Sequence, residues 1–281
     1  MDALAWCRER ILVPGNPLSA SLLFAEAGER DRILALRTLI GELGAAAETR
    51  EGEVAETKLQ WWRDALSGAQ PAAQRHPVMM ALSESEALDP IEGKQLDRLI
   101  DGVAELVELP RFEQFDELWG LCQRVGGRAA ALEAQLLGAS ASIEKSLAVL
   151  GASAYLIRMT RDVAMDARNN RWWVPLELQA DYQVSRKDVQ DEKGGAGFDG
   201  LVRTLVHEAI KRAAVASETL NDEAAWIHRH ALIFWALDRR LGLKITRSPS
   251  RLMRRRILPS HSGNVWTAWR SARRLRRGES L

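Results

Sequence analysis

Asp162 and Asp166 are the residues of this chain whose types and spacing most directly suggest chemistry. Residues four apart on a helix face the same way, with Cβ atoms about 5–6 Å apart, so both carboxylates can reach one hard cation such as Mg²⁺. Alone, the two acids would repel. The sequence offers two sources of compensating charge: a metal bound together with a diphosphate, or the nearby arginines Arg158, Arg161, Arg168 and Arg171. A solvated helix face with local ion pairs fits the same pattern, and spacing by itself favours that plainer reading.

Other candidate groupings are weaker. The stretch Arg168-Asn-Asn-Arg-Trp-Trp-Val-Pro175 reads as a helix end turning into a capped loop, with Trp172 and Trp173 as a packing plug or as binding aromatics. In Lys58-Leu-Gln-Trp-Trp-Arg-Asp64 one tryptophan faces the core while Lys58 and Arg63 point elsewhere, as cations for an anionic ligand or as ordinary surface charge. His228 and His230 diverge on a helix, and His76, His207 and His261 have no acidic or cysteine partner at ligand spacing, so histidine supplies no metal site. Neither Cys7 nor Cys122 sits in a nucleophile context, and no Gly-x-Ser-x-Gly elbow is present. The Gly-rich run from Glu192 to Gly200 lacks a following Lys-Ser/Thr pair and reads as a flexible interhelical loop rather than a phosphate cradle.

The elements that must position these residues are helices. Ala (40) and Leu (38) dominate, no segment keeps strict two-residue alternation, and the Pro-free runs 111–174 and 176–248 leave room for long helices. Apolar spacing predicts helices near 18–27, 29–48, 53–67, 92–109, 112–138, 142–168, 199–218, 222–241 and 264–277. At 281 residues, 46% hydrophobic and 27% charged, the chain is neither disordered nor a low-complexity scaffold. Two cysteines without a spacing framework argue against a disulfide-stapled secreted domain, and no apolar run reaches membrane-spanning length. The N-terminus lacks the pattern of a secretory signal, and a cytoplasmic location is expected.

Charge is unevenly distributed. From Arg247 onward there are ten Arg and one acidic residue, against a net +1 for the whole chain. This divides the chain into a helical domain, 1–245, and a basic extension, 246–281, whose last helix has Val265, Trp266, Ala268, Trp269 and Ala272 on one side and arginines on the other. Such a helix either rests peripherally on an anionic membrane or docks through its tryptophans with the arginines in water. Nucleic acid is not expected as a partner, because the basic residues are confined to one tail.

Taken together, these segments resemble the squalene/phytoene synthase family of head-to-head isoprenyl diphosphate synthases over roughly 15–245. Ser19 to Phe24 and Glu29 to Leu36 look like the family's serine-rich opening and arginine helix, Lys58 to Leu66 like its tryptophan helix. Arg161 to Arg168, followed by Arg171-Trp-Trp-Val-Pro175, is similar to its second Asp-rich motif and the continuation after it. The resemblance implies an all-α class I isoprenoid (terpenoid) synthase bundle around an apolar cavity. It also implies Mg²⁺-dependent ionisation of a farnesyl or geranylgeranyl diphosphate, in a pocket that excludes water from the cation. By this resemblance Asp162 and Asp166 are the catalytic acids and, with Glu48, the metal ligands; Arg158, Arg161, Arg168 and Arg171 bind diphosphate. Use of NADPH as reductant stays open. Where the first Asp-rich motif should fall, the chain reads Gly44-Ala-Ala-Ala-Glu48, and Tyr155, Arg158 and Met165 replace polar or acidic residues of the second. This erosion is similar to a family branch that includes a mitochondrial respiratory complex I assembly factor, so the alternative is an inactive member acting through a lipid or protein partner.

Overall fold

A computed structural model describes residues 2–49, 51–108 and 110–281. Its α-helices are α1 (Ala3–Ile11), α2 (Pro17–Ser21), α3 (Ala27–Ala47), α4 (Gly52–Leu66), α5 (Pro77–Glu84), α6 (Gly93–Ala104), α7 (Phe115–Cys122), α8 (Arg128–Leu136), α9 (Ala141–Arg168), α10 (Leu176–Tyr182), α11 (Arg186–Gln190), α12 (Gly195–Ser217), α13 (Asp222–Ile227), α14 (Arg229–Thr246) and α15 (His261–Leu275). No strand occurs among the described residues, as an all-α composition predicts.

The 28-residue α9 is the axis of the bundle, about 42 Å long at 1.5 Å per residue. It packs against α8, α12 and α14, with α3 across a cavity. Buried Leu147, Leu150, Leu156, Ile157 and Val163 anchor it, each such side chain contributing about 1.5–3 kcal/mol when removed from water. Beside the cavity, α9 meets its neighbour at glycine on both sides. Between α7 and α8, residues Gln123–Gly127 form a π-helical turn, a feature often found at functional sites. A Cβ on Gly126 would lie 2.3 Å from the Tyr155 Cβ, and one on Gly151 would lie 2.4 Å from the Gly126 carbonyl oxygen. Only hydrogen fits at that crossing.

Several elements differ from the sequence expectation. The run 112–138 is broken by the π turn, and 222–241 divides into α13 and α14 at His228. α1 and α5 were not expected; α5 opens at Pro77, which occupies the first helical turn where its missing N–H costs nothing. The Gly-rich run is not a loose loop, since α12 begins at Gly195. Its Gly197 and Gly200 let the helix press on Tyr182, where a Cβ would come within 2.2 Å and 2.7 Å of that residue's carbonyl oxygen and ring.

The basic segment from 246 onward shares the same core, to which Leu252, Met253, Ala268, Ala272 and Leu275 contribute. A 3₁₀ turn at Pro249–Met253 leads into it. α15 docks on α14 and α2 through Asn264, Ala268, Ser271, Ala272 and Leu275. Its tryptophans do not dock: Trp266 and Trp269 are 62% and 41% exposed and stack on each other at 5.0 Å. Small residues let α15 approach closely, and the large rings are left on the outer face.

Candidate functional site

A cavity of about 520 Å³ lies between α3, α6, α8, α9 and α14, a size ordinary for a small-molecule site. Its deep part is apolar, with Leu99, Val103, Leu121, Ala130, Leu147 and Leu150. Its mouth is charged. There α9 presents Asp162 and Asp166 one turn apart on the cavity side, as the four-residue spacing predicted, and α3 faces them with Gly44 and Glu48.

Asp162 is held by two arginines. Arg161 donates through Nε to Oδ1 at 2.9 Å and through Nη2 to Oδ2 at 2.5 Å. Arg256 donates to the same two oxygens at 2.6 and 2.8 Å. Burial works against the Asp162 charge, but these hydrogen bonds outweigh it and hold the carboxyl below its ordinary range. Arg256 reaches this position because Arg168 Nη1 donates to the Met253 carbonyl at 2.6 Å, fastening the 3₁₀ turn to the end of α9.

Asp166 has a different environment. Asn170 adopts the left-handed conformation at φ 60° that commonly ends helices, and the Arg171 amide donates back to the Asp166 carbonyl at 2.8 Å. The chain therefore folds back and brings Trp173 over α9, where its indole N–H donates to Asp166 Oδ2 at 3.0 Å. Burial, reinforced by the charges of Asp162 and Glu48, raises the Asp166 carboxyl above its ordinary range despite this bond and the nearby Arg171.

Two further ion pairs belong to the cavity wall, their arginines lining it and their carboxylates buried behind. Arg158 Nη1 donates to Asp238 of α14 at 2.7 Å, and Arg37 Nε donates to Glu133 of α8 at 2.5 Å. Both guanidinium groups also stack on Phe234, at 5.5 and 4.8 Å from the ring centre. Burial raises the Asp238 carboxyl. It opposes ionisation of Glu133 as well, but Arg37 and His230 reverse the balance and lower that group.

The structure thus brings Asp162, Asp166, Glu48, Arg158, Arg161 and Arg171 to one cavity. Arg168 stands outside its lining, bonded to Met253, and acts on the site only through the turn it fastens. Lys58 bonds Thr49, and Arg63 pairs with Asp101, so neither of these cations reaches the cavity. Trp61, Trp62 and His76 form an edge-to-face cluster instead. Sequence reasoning missed Arg37, Phe234 and Arg256. Arg256 had no distinguishing signal among the ten arginines of its segment, whereas an apolar helix face in α3 interrupted by Arg37 was visible in principle.

Mg²⁺ does not fit this donor set as it stands. Among the described residues no three Asp, Glu, His or Cys side chains converge to hold an ion. Both Asp162 oxygens are engaged by guanidinium groups, and Gly44 offers no ligand.

A helical bundle closing an apolar cavity under an acid- and arginine-lined mouth defines a terpenoid synthase-type fold. Solved structures agree: a dehydrosqualene synthase superposes with a TM-score of 0.76 at 16% identity, covering 98% of this chain and 97% of its own. A squalene synthase from Alicyclobacillus acidocaldarius gives 0.71 at 12% identity, covering 87% and 93%. The squalene/phytoene synthase profile matches residues 16–269, and the chain belongs to that family. Similarity to curated relatives is partial. The 15-cis-phytoene synthase of Enterobacter agglomerans is 22% identical over 71% of this chain and 63% of its own length. The maize chloroplastic phytoene synthase 3 is 26% identical over 52% of this chain, and only 37% of that relative is spanned.

Proposed function

We propose that this chain binds a prenyl diphosphate, farnesyl or geranylgeranyl, with the isoprenoid tail in the apolar depth of the cavity and the diphosphate among the arginines of its mouth. One observation carries this reading: a single cavity joins an apolar interior to a mouth where Arg161, Arg171 and Arg256 converge. Arg–phosphate contacts are charge-assisted and favour a fixed headgroup position, while apolar walls exclude water from the allylic carbon. Family membership supports turnover of that ligand in isoprenoid biosynthesis. The eroded α3 face favours the second reading, a member that binds without ionising its ligand and serves a protein partner.

Titration with farnesyl diphosphate and with geranylgeranyl diphosphate tests the first claim, and saturable one-to-one binding is expected. Following diphosphate release and extracted hydrocarbons by mass spectrometry, with Mg²⁺ and with or without NADPH, separates the two readings. Release abolished by Asp162→Ala and Asp166→Ala identifies an enzyme; binding without release identifies a binding protein. Absence of binding to both ligands sinks the reading.

We further propose that the outer face of α15 rests on an anionic membrane surface, where a prenyl ligand resides. No helix among the described residues is long and apolar enough to cross a membrane. The exposed Trp266–Trp269 stack, with Arg273 over Trp269 at 5.5 Å, has the composition of an interfacial contact. Trp266→Ala with Trp269→Ala is expected to weaken cosedimentation with phosphatidylglycerol vesicles several-fold; unchanged sedimentation removes this contact.

A further inference from the structure

The prenyl-diphosphate reading leaves the source of neutralising charge undetermined, and the surroundings of Asp162 bear on it. A carboxylate has about four lone-pair positions. At Asp162, Nε and Nη2 of both Arg161 and Arg256 occupy them, at 2.5 to 2.9 Å. A divalent ion can bind there only by displacing an arginine. A guanidinium carries five N–H donors, and each of these two uses two on Asp162, so each keeps donors on Nη1 and Nη2 for another anion. The trio of Asp162 and two arginines keeps one net positive charge, and Arg171 lines the same mouth. On the facing wall Gly44 looks into open space and supplies no ligand, and Asp162, Asp166 and Glu48 do not converge as a three-ligand group.

We infer that this site takes its diphosphate directly on guanidinium groups, without a divalent ion, and that Arg256 is a tethered cation standing where a metal would have to bind. Asp162 is then a positioning residue that aligns Arg161 and Arg256 rather than a metal ligand. This rests on the prenyl-diphosphate reading and specifies how that ligand is recognised. The Arg256 side chain is 45% exposed, so it can be changed without opening the core, and Arg168 keeps its segment in place.

The test is calorimetric titration of the full chain with farnesyl diphosphate, once in EDTA and once in excess Mg²⁺. Affinities within about threefold are expected, and Arg256→Gln should lower the affinity in EDTA by about tenfold or more, the scale of one charge-assisted hydrogen-bonded contact. Arg256→Lys should fall between, because a point charge lacks the planar fork. Thermal melts establish that the variants are folded. Binding that requires Mg²⁺, or that is indifferent to Arg256→Gln in EDTA, overturns the inference and leaves the prenyl-diphosphate reading intact. Absence of binding in both buffers defeats that reading and this inference with it. Titration of the unliganded protein with Mn²⁺, followed by electron paramagnetic resonance, provides an arm that needs no lipid. The wild-type protein should leave the free-ion signal unchanged, whereas Arg256→Gln combined with Gly44→Asp should reduce it. Loss of the signal with wild-type protein, restored by Asp162→Asn, also overturns the inference.

Discussion

Arginine–carboxylate pairs stand both in the cavity wall, with their carboxylates buried behind it, and at the cavity mouth, in contrasting surroundings. Behind the wall, Asp238 and Glu133 are 0% and 1% exposed in their side chains and are matched with Arg158 and Arg37. At the mouth, Asp162 is 16% exposed and its partner Arg256 45%. The inner pairs tie α9 to α14 and α3 to α8 through carboxylates that solvent does not reach. The outer cluster can exchange partners with water or with an incoming anion. The same pairing therefore has its carboxylates sealed from solvent in one place and partly open to it in the other.

The largest effect should come from breaking an inner pair. Asp238→Ala leaves Arg158 without its buried partner and should cost about 3–5 kcal/mol in a urea melt. Asp162→Ala should cost no more than about 1–3 kcal/mol, because Arg256 can turn to water, while weakening farnesyl diphosphate binding far more than its stability loss implies. If the two variants proved equally destabilised, the contrast between inner and outer pairs would collapse.

A second comparison sets the neighbours Asp162 and Asp166 against each other by pH. The folded-state pKa of Asp162 is depressed, so its charge stabilises the fold above the unfolded value of about 3.9, and that contribution is lost as pH falls through the lower folded value. Asp166 is raised, so its charge is a burden at neutral pH that is relieved as pH falls through its elevated folded value. Denaturation midpoints should therefore show Asp162→Asn less stable than wild type at pH 7, with the deficit closing only below about pH 4. Asp166→Asn should match or exceed wild type at pH 7, with any advantage shrinking on acidification. Deficits of equal size and parallel pH dependence would show that the two carboxyls share one environment.

The smallest effect is expected at Gly44. A Cβ there meets nothing within 4 Å, and glycine and aspartate differ little in helix propensity, so Gly44→Asp should change stability by less than about 0.5 kcal/mol. A loss above about 2 kcal/mol would mean that the α3 wall is packed rather than open. Physically, this wall has room for a side chain that the fold does not require.

How much of this the sequence disclosed follows from the range of the interactions. The period of α9 and the shared face of Asp162 and Asp166 are local properties, and both were readable from spacing. The bond between Arg158 and Asp238 spans 80 residues, and no local pattern marked Asp238 as the buried partner within α14. Arg256 was hidden among similar arginines, because its distinction lies in the 3₁₀ turn before it and in the Arg168 bond that fixes that turn. For α15 the sequence left membrane contact and docking through the tryptophans open, with Trp266, Trp269, Ala268 and Ala272 on one side. The structure separates them: Ala268, Ser271 and Ala272 pack on α14 and α2, and the rings lie outside. Residues that fill volume in a core are not always those that permit close approach.

The bond from Arg256 back to Asp162 also bears on the order in which the protein is made. The two residues lie 94 positions apart, so a ribosome will have produced the cavity-forming stretches of α3, α6, α8, α9 and α14 before the second guanidinium emerges. Until then Asp162 has only Arg161 beside it, and the nascent mouth differs in charge from the finished one. The proposed anion site is thus completed only after the helices that enclose its cavity have been synthesised.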